Sequence, residues 1–251
     1  MKPELRTLLR CFLRTYFIGA AFNTRGLQNI GLAYAMDPGL QAFYRDPKSL
    51  KQARKRHLTV YNTHPYWTPL LVGYFLFLEA KTSRGLLAPS ALNKVKTTAA
   101  YTLSAIGDSF FGGSLLVFWS LMTIMLSLTV SAWAGLLWLG VSLIALQVFK
   151  LGTFWFGWRQ GLTFFEKIRR LNLINWSKRI KLVNACLVLA IWLIVYPLEH
   201  QIFPFFVSSA VLGGACLAVR QSLLPREALL AAAAAGVIVW TAVFGGAGFP
   251  G

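Results

Sequence analysis

Acidic residues are scarce in this sequence: eight Asp and Glu stand against 25 Lys and Arg in 251 residues, for a formal net charge of +17. Cysteine and histidine are equally sparse, at three each. Cys11, Cys186 and Cys216 have neither metal-like nor redox-like spacing. Two of them lie in apolar runs, where a thiol serves as a small hydrophobe, so no disulfide framework and no metal site is expected. A Gly-rich phosphate loop, an HExxH helix and a nucleophile–base pair at usable spacing are also missing. The chain is therefore expected to hold no catalytic residue and no cofactor of its own. Charge of either sign is thin, at 13% of residues.

What fills the chain instead is apolar: 56% of residues are hydrophobic and the mean hydropathy is +0.57. Phe110 to Phe149 runs forty residues without one Asp, Glu, Lys or Arg, where a single membrane span needs about 20 apolar residues. Further uncharged stretches are Leu182 to Leu198, Gln201 to Val219 and Ala228 to Gly251. A large soluble helical core would show polar faces at helical period through these windows, and they are absent. The fold class is all-α, a polytopic integral membrane protein. Its basic residues cluster between the apolar runs, which is the signature of the positive-inside rule, and no nucleic-acid partner is expected. The first residues, with Glu4, Arg6, Arg10 and Arg14, do not resemble a cleaved secretory signal, so the N-terminus is expected to be kept.

Three regions are expected. Residues 1–60 form an amphipathic and basic cytoplasmic-face region, 61–181 a transmembrane core with re-entrant segments, and 182–251 a set of C-terminal transmembrane helices. In the first, Leu9, Phe12, Leu13, Tyr16 and Phe17 share one helical face and Lys2, Arg6, Arg10 and Arg14 another, the pattern of a helix lying in the membrane interface. Pro-containing turns are expected at Asp37 to Gly39 and at Asp46-Pro47. The basic groups Arg45 to Arg56, Lys81 to Lys96 and Lys167 to Lys181 should all face the cytoplasm. The forty-residue run fits between the last two as a pair of spans joined near Ser131. Only one apolar segment, Tyr61 to Ala80, separates the first two groups, and only Leu151 to Phe165 separates Lys150 from the third. Both would have to enter and leave by the same face, as broken or re-entrant helices do. Pro65, Pro69 and Gly73 suit the first; Gly152, Gly157 and Gly161 suit the second, where an interfacial helix is the alternative. Beyond Lys181 an outward span to about Tyr196, a return span to Val219 and a last span after Arg226 are expected.

Four segments carry a family resemblance. Phe22-Asn-Thr-Arg-Gly-Leu-Gln-Asn-Ile-Gly-Leu-Ala-Tyr-Ala-Met36 resembles WNxERMQxxGF, and Arg56-His-Leu-Thr-Val-Tyr-Asn-Thr-His-Pro65 resembles RHLEFFNTxP. Ser104-Ala-Ile-Gly-Asp-Ser-Phe-Phe-Gly-Gly113 resembles GVGDPIFWG, and Phe154 to Gly161 is similar to an aromatic, glycine-rich segment ahead of a basic stretch. These patterns are those of the IID membrane subunits of the mannose/fructose/sorbose phosphotransferase (PTS) family. Arg25-Gly26 stands where that family has Glu-Arg, and Thr59 where it has Glu. The resemblance implies a IIC membrane subunit as partner, soluble IIA and IIB phosphocarriers, a hexose as substrate, a hetero-oligomer in contact with membrane lipid, and a place in the bacterial inner membrane. A non-transporting scaffold or regulatory subunit of the same descent is the alternative.

Sugar recognition needs planar donors and acceptors beside an apolar or aromatic wall. Asn23 and Gln28 of the first motif are candidates, with Arg25, Gln28 and Asn29 expected on one helical face; interhelical hydrogen bonding is their other use. Asn62, Thr63 and His64 open the segment expected to be re-entrant, where they would face substrate or cap the helix. Asp108, a carboxylate beside a long apolar run, is expected to contact substrate or to cap a helix beginning near Ser109. Pro65, Gly107, Gly112 and Gly113 are candidate hinge or gating positions. Glu79, next to Lys81, is expected to sit at the interface.

Overall fold

The computed structural model describes residues 3–161 and 163–195, together with Phe206 and Gly214. Its contacts group Met1–Ile191 as one compact unit and Trp192–Gly251 as a second; the spans expected at 201–219 and after Arg226 lie outside the described residues. Among those residues the structure is helical, with isolated β-bridges and no longer strand.

Helix α1 (Leu5–Arg14) is three-sided. Leu8, Cys11 and Phe12 turn into the protein, Leu5, Leu9 and Leu13 stay exposed, and Arg6 and Arg10 are also exposed. Phe12, expected on the membrane face, is thus a core residue. Burial pushes the Cys11 thiol up to about 12, so it remains neutral. A 3₁₀ segment (Thr15–Ala21) follows, with Tyr16 and Phe17 extending the exposed apolar stripe.

Helix α2 (Asn29–Phe43) passes straight through Pro38, where a turn is expected from the sequence. Proline has no N–H, so the carbonyl four residues earlier loses its helical partner. Here that carbonyl belongs to Tyr34, and Arg14 Nη1 donates to it at 3.0 Å while its guanidinium lies 4.2 Å over the Tyr34 ring. Tertiary contact thereby compensates a local break. The turn at Asp46-Pro47 is present: Asp46 caps α3 (Pro47–His57), its Oδ2 accepting from the backbone N–H and the hydroxyl of Ser49, both at 2.8 Å.

Helix α4 (Thr68–Thr82) has 15 residues. At 1.5 Å per residue it measures about 22 Å, short of a hydrocarbon core of about 30 Å. Its lead-in from Tyr61 is not helical, and Thr68 through Leu76 are all buried. A broken, non-crossing segment is what the basic clusters on either side require.

From Pro89 the chain is continuously helical to Thr129: α5 (Pro89–Gly107), a π segment (Asp108–Leu115) and α6 (Leu116–Thr129). No helix begins at Ser109. Asp108 has helical dihedrals, φ −60° and ψ −42°, so the expected N-cap there is replaced by a π segment inside one long helix. Ser131 is the joint: its hydroxyl accepts from Ala134 N at 3.2 Å and starts α7 (Ala132–Gln160). The expected separate segment from Leu151 to Phe165 does not exist, because α7 continues through Lys150 to Gln160. It stops at Gly161, whose φ of +57° suits glycine. Then come α8 (Thr163–Leu171) and α9 (Leu173–Val195), the latter carrying the first part of the span expected from Leu182.

The residues expected to break α7 instead let it pack. A β-carbon at Gly157 would strike the Leu70 carbonyl, and one at Gly73 would strike the Phe154 carbonyl, so α4 and α7 meet backbone to backbone. Two stretches among the described residues are long and apolar enough to cross a membrane, Pro89–Thr129 and Ala132–Gln160, and only 11% and 17% of their most apolar windows are buried in protein. Trp133, Leu137, Ile144 and Val148 face outward. A soluble protein does not expose such a surface.

Candidate functional site

The first two motifs are laced together. Residues 23–28 form a tight turn rather than a helix, so the expected shared face of Arg25, Gln28 and Asn29 does not arise; α2 starts only at Asn29. Asn23 Oδ1 accepts from Gly26 N at 2.8 Å and Arg25 N at 3.2 Å, and its Nδ2 donates to Asn29 Oδ1 at 3.0 Å. Asn23 is thus engaged in shaping its own loop. Leu27 takes a left-handed φ of +59° in that turn. From there Gln28 N donates to the Tyr61 carbonyl at 2.8 Å, Tyr61 N donates to Gly26 O at 3.2 Å, and Thr63 N donates to Gln28 Oε1 at 3.2 Å. Asn29 Nδ2 reaches the Leu58 carbonyl at 2.6 Å. The non-helical backbone of one segment supplies the partners the other lacks.

Below this lacing is a buried charge cluster that the motif spacing alone does not reveal. Glu79, on α4, has no solvent exposure. Its carboxylate accepts from Arg56 Nη2 at 2.8 Å, Arg56 Nε at 3.1 Å, the Tyr44 hydroxyl at 2.6 Å and His57 Nε2 at 2.9 Å. This overturns the interfacial placement expected from its neighbour Lys81. Burial lowers the pKa of His57, against the pull of Glu79, favouring the neutral ring. The Nε2–H tautomer follows, since that nitrogen must donate to the carboxylate. Lys96, also fully buried, donates to the Arg56 carbonyl at 2.7 Å and to the Thr59 hydroxyl. Arg56 and His57 of the second motif therefore act as a foundation, pinning the end of α3 to α4 and α5.

The second and third motifs meet at His64. Its ring stacks on Phe111 (centroids 5.3 Å apart, planes at 19°) and lies 5.2 Å from Tyr66. A β-carbon at Gly107 would fall on the His64 side chain, and one at Gly112 would stand 3.9 Å from Nε2. Asp108 is exposed on the same turn as Gly107. Thr63 is buried, its hydroxyl without a hydrogen-bond partner among the described residues, and Asn62 is half-buried beside it. Pro65 is exposed. Gln28 thus contacts Thr63, and His64 meets the third motif at Gly107 and Phe111, with Asn62 and Asp108 adjacent in the chain, while Asn23 is engaged within its own loop.

A π segment leaves carbonyls without their usual helical donors. Ser114 Oγ shares its one proton between the Ser109 and Phe110 carbonyls, both at 2.9 Å, and α9 supplies the rest: Ser177 Oγ donates to Ser109 O at 2.8 Å and Asn184 Nδ2 to Ser114 O at 3.0 Å. Ser177 and Asn184 went unremarked in the sequence. The available signal was two polar residues seven apart, hence on one helical face. Gly113 faces the same helix, its β-carbon position 3.6 Å from Lys181 Nζ. No cluster of His, Cys, Asp or Glu that could hold a metal occurs among the described residues.

Two long lipid-facing helices, a short buried helix with an extended lead-in, and polar side chains gathered where that lead-in meets a π segment define an all-helical integral membrane protein of broken-helix type. The model of the PTS system mannose/fructose/sorbose family IID component matches residues 4–194, and the chain belongs to that family. It is 30% identical over 105 residues to the PTS system mannose-specific EIID component of Escherichia coli K12, an alignment covering 41% of this chain and 37% of that protein. To the fructose permease IID component of Bacillus subtilis 168 it is 25% identical over 111 residues, covering 44% and 40%. These alignments span well under half the length of the curated relatives. Among solved structures, one described as a membrane protein superposes with a TM-score of 0.75 at 19% identity, covering 97% of this chain and 98% of that one. The mannose transporter ManYZ in complex with microcin E492 superposes at 0.58, with the same identity and coverage. At that identity the likeness concerns the fold.

Proposed function

We propose that this chain is the IID membrane subunit of a bacterial inner-membrane permease that, with a IIC subunit, carries a hexose of the mannose, fructose or sorbose type inward, coupled to its phosphorylation by soluble IIA and IIB proteins. The observation that carries the reading is the meeting of the second and third motifs at His64, whose ring lies against the aromatic wall of Tyr66 and Phe111 beside Gly107 and Gly112, with Gln28 tied to Thr63 and with Asn62 and Asp108 adjacent in the chain. Amide, hydroxyl, imidazole and carboxylate groups at such a wall suit the vicinal hydroxyls and apolar face of a sugar. Both ends of the long hairpin from Pro89 to Gln160 lie near basic residues, which supports placing them at the cytoplasmic side. Gly107, Gly112 and Gly113, where α5 gives way to the π segment, would let that helix flex as the site changes access. The phosphate-carrying residue belongs to the soluble partners.

The test is uptake and phosphorylation of labelled hexoses in membranes holding this chain, a IIC subunit and the soluble carriers. Wild type should transport, and Asn62→Ala with Asp108→Ala should reduce uptake by about 5- to 160-fold, the loss of two hydrogen bonds to a ligand at about 0.5–1.5 kcal/mol each. Unchanged rate and affinity in the double variant would refute the site. A second reading, a non-transporting regulatory subunit, is motivated by Arg25-Gly26 and Thr59, which depart from the family pattern; it expects assembly with the partners and no uptake by wild type.

A further inference from the structure

Away from the motif-bearing loops, α7 and α8 enclose a groove of about 550 Å³ whose walls include Trp67, Phe149, Phe156 and Leu171. Lys167 and Arg170 border it, one turn apart on α8 and both exposed. The Lys167 ammonium is held at the mouth, 5.1 Å over the Phe156 ring and donating to Gln160 Oε1 at 2.6 Å. Neither cation pairs with a carboxylate among the described residues. The groove opens beside α7, most of whose apolar surface is not covered by protein. Gly152 keeps the wall open, since a β-carbon there would meet nothing within 4 Å.

We propose that this groove is a binding site for one anionic phospholipid, an acyl chain lying against the aromatic walls and the phosphate resting on Lys167 and Arg170. The charge and the walls each exclude an alternative. A free phosphate would gain nothing from an apolar cavity of this size, and a zwitterionic lipid would carry its own cation to the two already present. Only a ligand with a net-negative head and an apolar tail uses both halves. Basic pockets beside membrane helices recognise anionic headgroups for this reason. Because Trp67 also packs on Phe111 and against Gly107, occupancy would brace the helix start behind His64.

The experiment is native mass spectrometry of the full chain in mild detergent, titrated with phosphatidylglycerol or phosphatidylcholine. Wild type should bind phosphatidylglycerol more tightly. Lys167→Gln with Arg170→Gln should weaken that binding about 25-fold, two cations at about a factor of five each, while leaving phosphatidylcholine unchanged. Gly152→Leu, which fills the groove with both cations in place, should reduce binding of both lipids without lowering the melting temperature. Equal affinity for the two lipids in wild type, or an undiminished preference in the double variant, overturns the proposal. So does displacement of the lipid by inorganic phosphate alone at millimolar concentration, or by an added IIC subunit seated in the same groove.

Discussion

Replacing Glu79 by Gln keeps the side chain's shape and removes its charge from a place with no access to water. Four donor bonds from Arg56, His57 and Tyr44 converge on that carboxylate. The Arg56 side chain is 12% exposed, so after the substitution its guanidinium stays buried without a counter-charge. Breaking a buried pair from one side costs about 3–5 kcal/mol. For a protein of 150–250 residues each kcal/mol moves Tm by about 2–4 °C, so a fall of about 6–20 °C is expected. Asp37→Asn is the internal control. Its pair with Arg54 is also short, 2.7 Å, but the two side chains are 24% and 45% exposed, and its loss should cost at most about 1 kcal/mol. Thermal unfolding of both variants in one detergent, followed by tryptophan fluorescence, makes the comparison. Equal shifts for Glu79→Gln and Asp37→Asn would refute the argument that burial governs this cluster.

Gly73→Ala should destabilise by about 1–3 kcal/mol, because its methyl would meet the α7 backbone, whereas Gly140→Ala, with nothing within 4 Å, should be neutral or stabilising; melting curves distinguish them. Gln28→Ala should free the Thr63 N–H and speed its hydrogen exchange about 2- to 13-fold, the equivalent of one hydrogen bond of about 0.5–1.5 kcal/mol. Two N–H and O–H donors from Ser49 hold the exposed Asp46 carboxyl below its ordinary pKa. Its capping contribution is therefore complete above the unfolded value of about 3.9 and is lost as pH falls through the lower folded one. Exchange protection at the start of α3 should decline over that acidic window, and Asp46→Asn should flatten the decline.

The forty uncharged residues from Phe110, the basic clusters on either side and the single short segment between two of them were enough to read an all-helical membrane protein with a non-crossing segment. Hydropathy, length and parity are properties of the linear chain, and a forty-residue run is twice the length of one span, which places a joint near its middle, at Ser131. The motifs likewise disclosed the family. What local rules could not supply was the effect of distant partners. Pro38 stays helical because Arg14 satisfies the carbonyl it orphans. Asp108 caps nothing because Ser114, Ser177 and Asn184 satisfy the π segment that runs through it. Glu79 lies in the core rather than at the interface because Arg56 and His57, more than twenty residues away, bring it donors. In each case a partner distant in sequence, brought in only on folding, supplies the hydrogen bonds that the local pattern leaves open. The chain's chemistry fixed which groups had to be satisfied; the tertiary structure decided by whom.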